Sequence, residues 1–374
     1  MLKNKKINVT QPSLPSLSEF IPYLESIWED KWLTNNGKFH KQLESELEGF
    51  LGVEHVALCS NGTFALILAL KALNIKDEVI TTPFSFVATS HAISWNGCSP
   101  VFADIDPDTF NLDPNKVEDM ITENTTAIMP VHVYGKPCDN IRLKEIARKH
   151  DLKLIYDAAH AFHVRKNGES ILQWGDLSIL SFHATKVFNT FEGGAVICHT
   201  PEMKQKICDL KNFGIQGETS VVDTGINAKM NEVQASMGLL QLKYLDDTIE
   251  KRRTISDLYD QLLYNVQGIT LPHNDEKISQ NYSYYPILID EAYDGRSRDQ
   301  IYEMLKTNNI FSRRYFYPLI SHFPMYASLS SAAPKGLPVA ERVAQQVLCL
   351  PIYPELSLKD VRRICKLIIN KEKH

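Results

Sequence analysis

Two groups that could do chemistry stand at the ends of apolar runs. The run Leu152 to Tyr156 ends in Asp157, within Ile155-Tyr156-Asp157-Ala158-Ala159-His160. The run Leu177 to Phe182 leads to Lys186 through His183-Ala184-Thr185. Short apolar runs of this kind read as buried strands. A carboxylate and an amine then sit at the rim of a sheet, where α/β proteins hold their ligands. A lone lysine beside a carboxylate is usually a salt bridge. At two strand ends, with a Ser-Phe-His approach to the lysine, the pair points to pyridoxal phosphate. That cofactor needs a lysine for its Schiff base and an acid to keep its pyridine nitrogen protonated.

Other segments can be read with that pair. Ser60-Asn61-Gly62-Thr63 lies between a strand and a helix, where exposed amides bind phosphate and glycine lets the backbone approach closely. In isolation it is an Asn-Gly turn with a capping residue. Phe84-Ser85-Phe86-Val87-Ala88-Thr89 opens the next helix. Either ring could be plain core, or one could stack on a pyridine face; Phe86 is the choice for that role. His160 can donate to a ring oxygen or serve as a structural histidine. Ser181 offers a phosphate hydroxyl, and Glu192-Gly193-Gly194 suits a tight turn into the strand Ala195 to Cys198.

The 374 residues are too many for one ordinary core, so two lobes are expected. Hydrophobic content of 44% and charged content of 23% suit a globular protein. A net charge of −5 gives no electrostatic case for nucleic acid. No apolar run is long enough for a membrane span, and Met1 to Lys6 lacks the apolar centre of a signal peptide. The seven cysteines, among them Cys59, Cys198 and Cys349, lack metal-type spacing. They read as reduced core residues of a cytoplasmic protein, with no metal site expected.

The elements that must position the chemistry alternate from about residue 54 to 200. Strand-like stretches at 56–59, 78–82, 100–104 and 127–131 interleave with helical ones at 63–73, 87–95, 115–121 and 141–150. This βαβα pattern implies an α/β fold with a mostly parallel sheet and helices on both faces. Asn231 to Val266 reads as one long helix, with Lys251, Arg252 and Arg253 as a solvated interruption. Beyond it, residues 282–289, 298–305 and 358–370 resemble a smaller α/β lobe, approached through Gly268, Pro272 and His273. The expected division is a large cofactor-binding domain at 1–245 and a small C-terminal domain at 246–374.

In order, the chain carries Ser-Asn-Gly-Thr, Phe-Ser-Phe-Val-Ala-Thr, Pro130-Val131-His132-Val133-Tyr134-Gly135, Asp-Ala-Ala-His-Ala, Ser-Phe-His-Ala-Thr-Lys and Glu-Gly-Gly. This series resembles the sugar-nucleotide aminotransferases of the DegT/StrS type, from Trp32-Leu33-Thr34 to Leu350-Pro351-Ile352-Tyr353-Pro354. The resemblance implies a pyridoxal-phosphate enzyme of the aspartate-aminotransferase fold (fold type I), working as a homodimer with shared active sites. It assigns Lys186 the covalent attachment and the proton shuttle, Asp157 the pyridine nitrogen and His160 the ring oxygen, where many relatives have glutamine. Gly62, Thr63 and Ser181 would hold the phosphate, with His183 beside the cofactor and Phe86 over its ring. Asn227, in Gly225-Ile226-Asn227-Ala228-Lys229-Met230, would reach the neighbouring subunit's phosphate. Lys229 stands where arginine is common, which weakens a bidentate contact. Tyr156 and Phe191 also depart from the usual pattern without removing a required group.

The substrates implied are L-glutamate and a nucleotide-linked keto sugar, with Tyr317, Lys229 and Asn35 as substrate contacts. The segments 32–40 and 313–318 most resemble enzymes that convert dTDP-4-keto-6-deoxy-glucose to the 4-amino sugar dTDP-viosamine for surface polysaccharide. Enzymes aminating C3, and those using UDP- or GDP-sugars, share much of the pattern. A dehydratase using the same cofactor would be expected to carry histidine in place of Lys186. A non-catalytic scaffold would have no need to keep Asp157 and Lys186 in a buried pocket.

Overall fold

A computed structural model describes residues 6–272 and 275–370. Residues 1–5, read above for leader character, and His273 lie outside the described residues.

The alternating pattern builds a seven-stranded sheet. Its spatial order is His55–Cys59, Gly194–Cys198, Leu177–Ser181, Lys153–Asp157, Thr125–Met129, Glu78–Thr81 and Ser99–Phe102. Neighbours from Leu177–Ser181 to Ser99–Phe102 run parallel, whereas Gly194–Cys198 is antiparallel to both of its neighbours. Alternate side chains go to opposite faces: Leu180 packs with Leu43, Leu47 and Leu58, while Leu177 and Ile179 pack with Ala65, Leu68 and Ala69. Helices cover both faces, which is why these strands read as unbroken apolar runs. Asp157 is paired with Ile179 across parallel strands, so Asp157 and Ser181 leave the sheet at the same edge.

The outer edge of His55–Cys59 is covered by side chains. Glu48 Oε1 accepts from Val56 N at 3.0 Å and Glu44 Oε1 from Leu58 N at 3.0 Å. The buried Lys211 amine donates to Leu58 O at 2.9 Å. Backbone groups that would template another strand are thereby satisfied.

The helix expected from Asn231 to Val266 is two helices, Glu232–Leu242 and Leu245–Leu263, separated at Lys243 and Tyr244. Nor is Arg252 solvated. The helical period turns it inward with Ile255 and Tyr259, while Lys251 and Arg253 stay exposed. Its guanidinium donates to the Tyr282 and Ile352 carbonyls at 3.3 and 3.2 Å, partners that make burial tolerable. The stretch 115–121, read as helix, is one short turn at Pro114–Val117 followed by a 3₁₀ turn at Glu118–Met120.

The C-terminal elements form a three-stranded antiparallel sheet of Ile269–Thr270, Tyr285–Ile289 and Val347–Leu350. Helices Leu245–Leu263, Arg298–Thr307 and Leu358–Ile369 share its core, which also contains Ile7. The strand Ile7–Asn8 pairs in parallel with Ile310–Phe311, so the start of the described chain packs among these elements. Among the described residues no helix is long and apolar enough to cross a membrane.

Candidate active site

The loop carrying Lys186 is anchored on both sides. Phe182 and Phe188 are fully buried; Phe188 stacks on Phe162 at 4.5 Å and meets Phe182 edge-on at 4.9 Å. Phe182 N donates to Gly193 O at 2.8 Å, and Thr190 N to Phe182 O at 3.0 Å. Between these anchors Lys186 enters a cavity of about 560 Å³. Burial lowers its amine to about 8, against an opposing pull from Asp157.

Asp157 lines the same cavity from the end of its strand. Oδ2 accepts from the Thr89 hydroxyl at 2.7 Å and Oδ1 from Ala159 N at 3.1 Å. Burial pushes its carboxyl above the ordinary value, while Thr89, the Ala159 amide and Lys186 favour the charged form. These donors keep one carboxylate serviceable in a place that disfavours charge.

His160 receives the Tyr134 amide on Nδ1 at 3.3 Å. Burial, Lys186 and His132 hold the ring well below its usual titration range, so it is neutral. Nδ1 being the acceptor, the proton is assigned to Nε2. The ring is fixed by stacking on Phe316 at 5.8 Å and by the edge of Tyr284 at 4.9 Å.

Asn61 begins the helix Gly62–Ala72, accepting from Phe64 N at 2.8 Å. Gly62 and Thr63 line the cavity in its first turn, where helix amides lack intrahelical acceptors. Close packing demands glycine here. A Cβ on Gly62 would lie 2.8 Å from Ser181 Cβ, and one on Gly194 would lie 2.7 Å from Gly62 N.

Of the residues read from sequence, the structure brings Lys186, Asp157, His160, Gly62, Thr63, Phe86, Ser181 and His183 to one cavity. Four others lie outside it. Asn227 is exposed and bridges to Asn212; Lys229 donates to Asn212 Oδ1 at 2.7 Å. Tyr317 is flanked by the Arg298 and Arg314 guanidiniums, 4.6 and 5.5 Å from its ring. Asn35 is exposed before the helix Lys38–Leu51. Sequence reasoning gave no role to Thr89, Tyr284, Tyr315 or Phe316, which also line the cavity. Thr89 was within reach, since it closes a motif already singled out. Tyr315 and Phe316 lie in the segment 313–318, which was read for the choice of sugar alone, and no motif marked Tyr284.

The sequence profile of the DegT/DnrJ/EryC1/StrS aminotransferase family matches residues 16–369. The chain belongs to that family. This aminotransferase is 53% identical over 371 residues to an Escherichia coli protein named dTDP-4-amino-4,6-dideoxy-D-glucose transaminase, covering 99% of this chain and 100% of that one. Among solved structures, DesI in the presence of its TDP-sugar product superposes with a TM-score of 0.93 at 35% identity, over 98% of this chain and 92% of that one. The PLP form of Spr1654 from Streptococcus pneumoniae, a putative sugar aminotransferase, gives a TM-score of 0.90 at 26% identity, over 98% of both chains. The enzyme thus has the expected α/β transaminase fold with a large, mostly parallel sheet.

Proposed function

We propose that this aminotransferase moves the amino group of L-glutamate to dTDP-4-dehydro-6-deoxy-D-glucose, giving dTDP-4-amino-4,6-dideoxy-D-glucose, with pyridoxal phosphate as cofactor. One observation carries the chemistry: Lys186, Asp157 and the helix start at Gly62 and Thr63 converge on a single cavity. The choice of sugar rests on the similarity to the Escherichia coli transaminase.

The residues present fit the cofactor. The cavity offers a lone amine, a carboxylate held by two donors, a neutral imidazole with Nε2–H, and a helix start packed too tightly for any side chain at residue 62. Bound pyridoxal phosphate supplies an electron-accepting ring and a carbonyl that can receive an amine. Lys186 is its attachment point. Because burial lowers that amine to about 8, it gives up its proton close to neutral pH and can take one from a substrate carbon. Asp157 would hold the proton on the ring nitrogen, and His160 would donate from Nε2 to the ring oxygen. Gly62, Thr63 and Ser181 would hold the phosphate, with His183 and Phe86 as further contacts to the cofactor.

The site is completed by a second chain, whose Asn227 serves the phosphate; Lys229, Tyr317 and Asn35 are the proposed substrate contacts. Exposed apolar residues support a dimer. Leu17 and Trp28 lie on the first helix, Trp32 and Leu33 follow it, and Val221 and Val222 lie on the hairpin before Asn227. A second chain would cover exposed apolar side chains of this size.

Purified protein supplied with glutamate and a panel of keto-sugar nucleotides tests the reading. The expected product, identified by mass and NMR, is the 4-amino-4,6-dideoxy-glucose nucleotide. Amination only at C3, or only of a UDP- or GDP-sugar, would replace the sugar assignment.

A further inference from the structure

The amine of Lys186 has a neighbour from the other sheet. Its Nζ donates to the Tyr284 hydroxyl at 3.5 Å and lies 5.9 Å from the centre of that ring. Tyr284 immediately precedes the strand Tyr285–Ile289 of the C-terminal sheet. Its ring is fixed by aromatic contacts with His160 at 4.9 Å, Tyr134 at 5.4 Å and Tyr315 at 5.9 Å. We propose that the Tyr284 hydroxyl is a positioning group for Lys186, accepting a hydrogen bond from the ε-amine whenever that amine is not covalently engaged. The proposal rests on Lys186 as the attachment point.

The charge distribution explains why a phenol suits this place. Asp157, His160, Tyr284, Tyr315, His183 and Glu192 line the cavity with the amine. His160 is neutral and turns its Nδ1 to the Tyr134 amide, so it offers no acceptor at that nitrogen. Asp157 is the strong acceptor. A free lysine that settled on that carboxylate would form an ion pair and occupy the group required by the ring nitrogen. Burial keeps the Tyr284 phenol neutral far above its usual range. A neutral oxygen gives the amine a defined resting place without trapping it as an ion pair. The long, rotatable lysine stem would otherwise spread over several rotamers, and proton transfer depends on a placed base.

Tyr284→Phe removes the oxygen and keeps the ring. Cofactor-free protein is mixed with pyridoxal phosphate over a range of pH, and the rate of covalent coupling is followed by absorbance. Borohydride reduction and peptide mapping then locate the label. Loss of a neutral acceptor disfavours the ammonium form, so the midpoint should move to lower pH, by about threefold to tenfold in proton affinity. In steady state kcat should fall while KM for glutamate holds. Tyr315→Phe, in the same cavity, should leave the coupling midpoint in place. Tyr284→Leu guards against misreading: a midpoint moved by Leu but not by Phe assigns the effect to the ring and overturns the proposal. So does an unchanged midpoint and kcat in Tyr284→Phe with the label still on Lys186. A label on another lysine in the wild-type protein removes the Lys186 reading itself, a result distinct from either.

Discussion

The Thr89 hydroxyl donates to Asp157 Oδ2 at 2.7 Å inside the cavity that holds Lys186. Burial raises the Asp157 carboxyl, and this bond is first among the contacts that lower it. Removing the donor therefore raises it further. In Thr89→Val the acidic limb of the kcat/KM profile for glutamate should move to higher pH. A hydrogen bond to a charged group contributes about 1.5–3 kcal/mol, so activity on the acid side should drop roughly tenfold or more. An acidic limb that stays where the wild type has it would leave Thr89 as packing only.

Asp157→Asn should retain the cofactor and lose most of its turnover at every pH. The amide roughly preserves shape but cannot stabilise a protonated ring nitrogen. Electrostatic stabilisation of this kind is worth ~3 kcal/mol or more at the transition state, about a hundredfold in rate. Both half-reactions are measured separately by stopped-flow absorbance. Wild-type rates in both would give the ring nitrogen another partner.

Particular residues show what the sequence can and cannot convey. Asp157 and Lys186 were legible because each follows a strand buried on both faces, and such strands leave unbroken apolar runs. Gly62 was legible from a turn motif at a helix start. The bonds of Thr89 and Tyr284 were not, although Thr89 closes a motif, because their partners lie 68 and 98 positions away and meet them only through the sheet order and the packing of the C-terminal elements. The break at Lys243 and Tyr244 escaped notice because the apolar period continues across it. Arg252 read as solvated within a basic run, yet the helical period aims it at two backbone carbonyls.

Stability should depend on the ions that close the outer sheet edge. Burial opposes the charge of Glu44, but the His40 hydrogen bond and the Lys211 and Lys204 charges hold its carboxyl far below the ordinary range. A depressed folded-state value stabilises the protein above the unfolded value, and that contribution is lost as pH falls through the carboxylate range and below. Lys211→Met should leave Leu58 O without its donor and Glu44 with only Lys204, 3.2 Å away, as a lysine partner, costing about 1–3 kcal/mol. Denaturant melts at neutral and acid pH check both points. The variant should be less stable at neutral pH, and its stability should fall less on acidification than that of the wild type. Equal stability of variant and wild type at neutral pH would show that the buried pair contributes nothing net.

Sites shared between two chains would allow a test that single variants cannot. Asn227 is exposed and lies away from its own chain's cavity, beside a hairpin with exposed Val221 and Val222. If it serves the partner's phosphate, each site needs Lys186 from one chain and Asn227 from the other. An Asn227→Ala homodimer and a Lys186→Ala homodimer then have two damaged sites each. After subunit exchange, the mixed dimer carries one site with both defects and one with neither. Activity should recover toward half of the wild-type value per mixed dimer. Exchange is verified by native mass spectrometry with one chain tagged. If both residues belonged to one chain's site, every site in the mixture would still carry one defect, and activity would stay at the level of the parents. That outcome would assign Asn227 to its own chain's cofactor or to no cofactor at all.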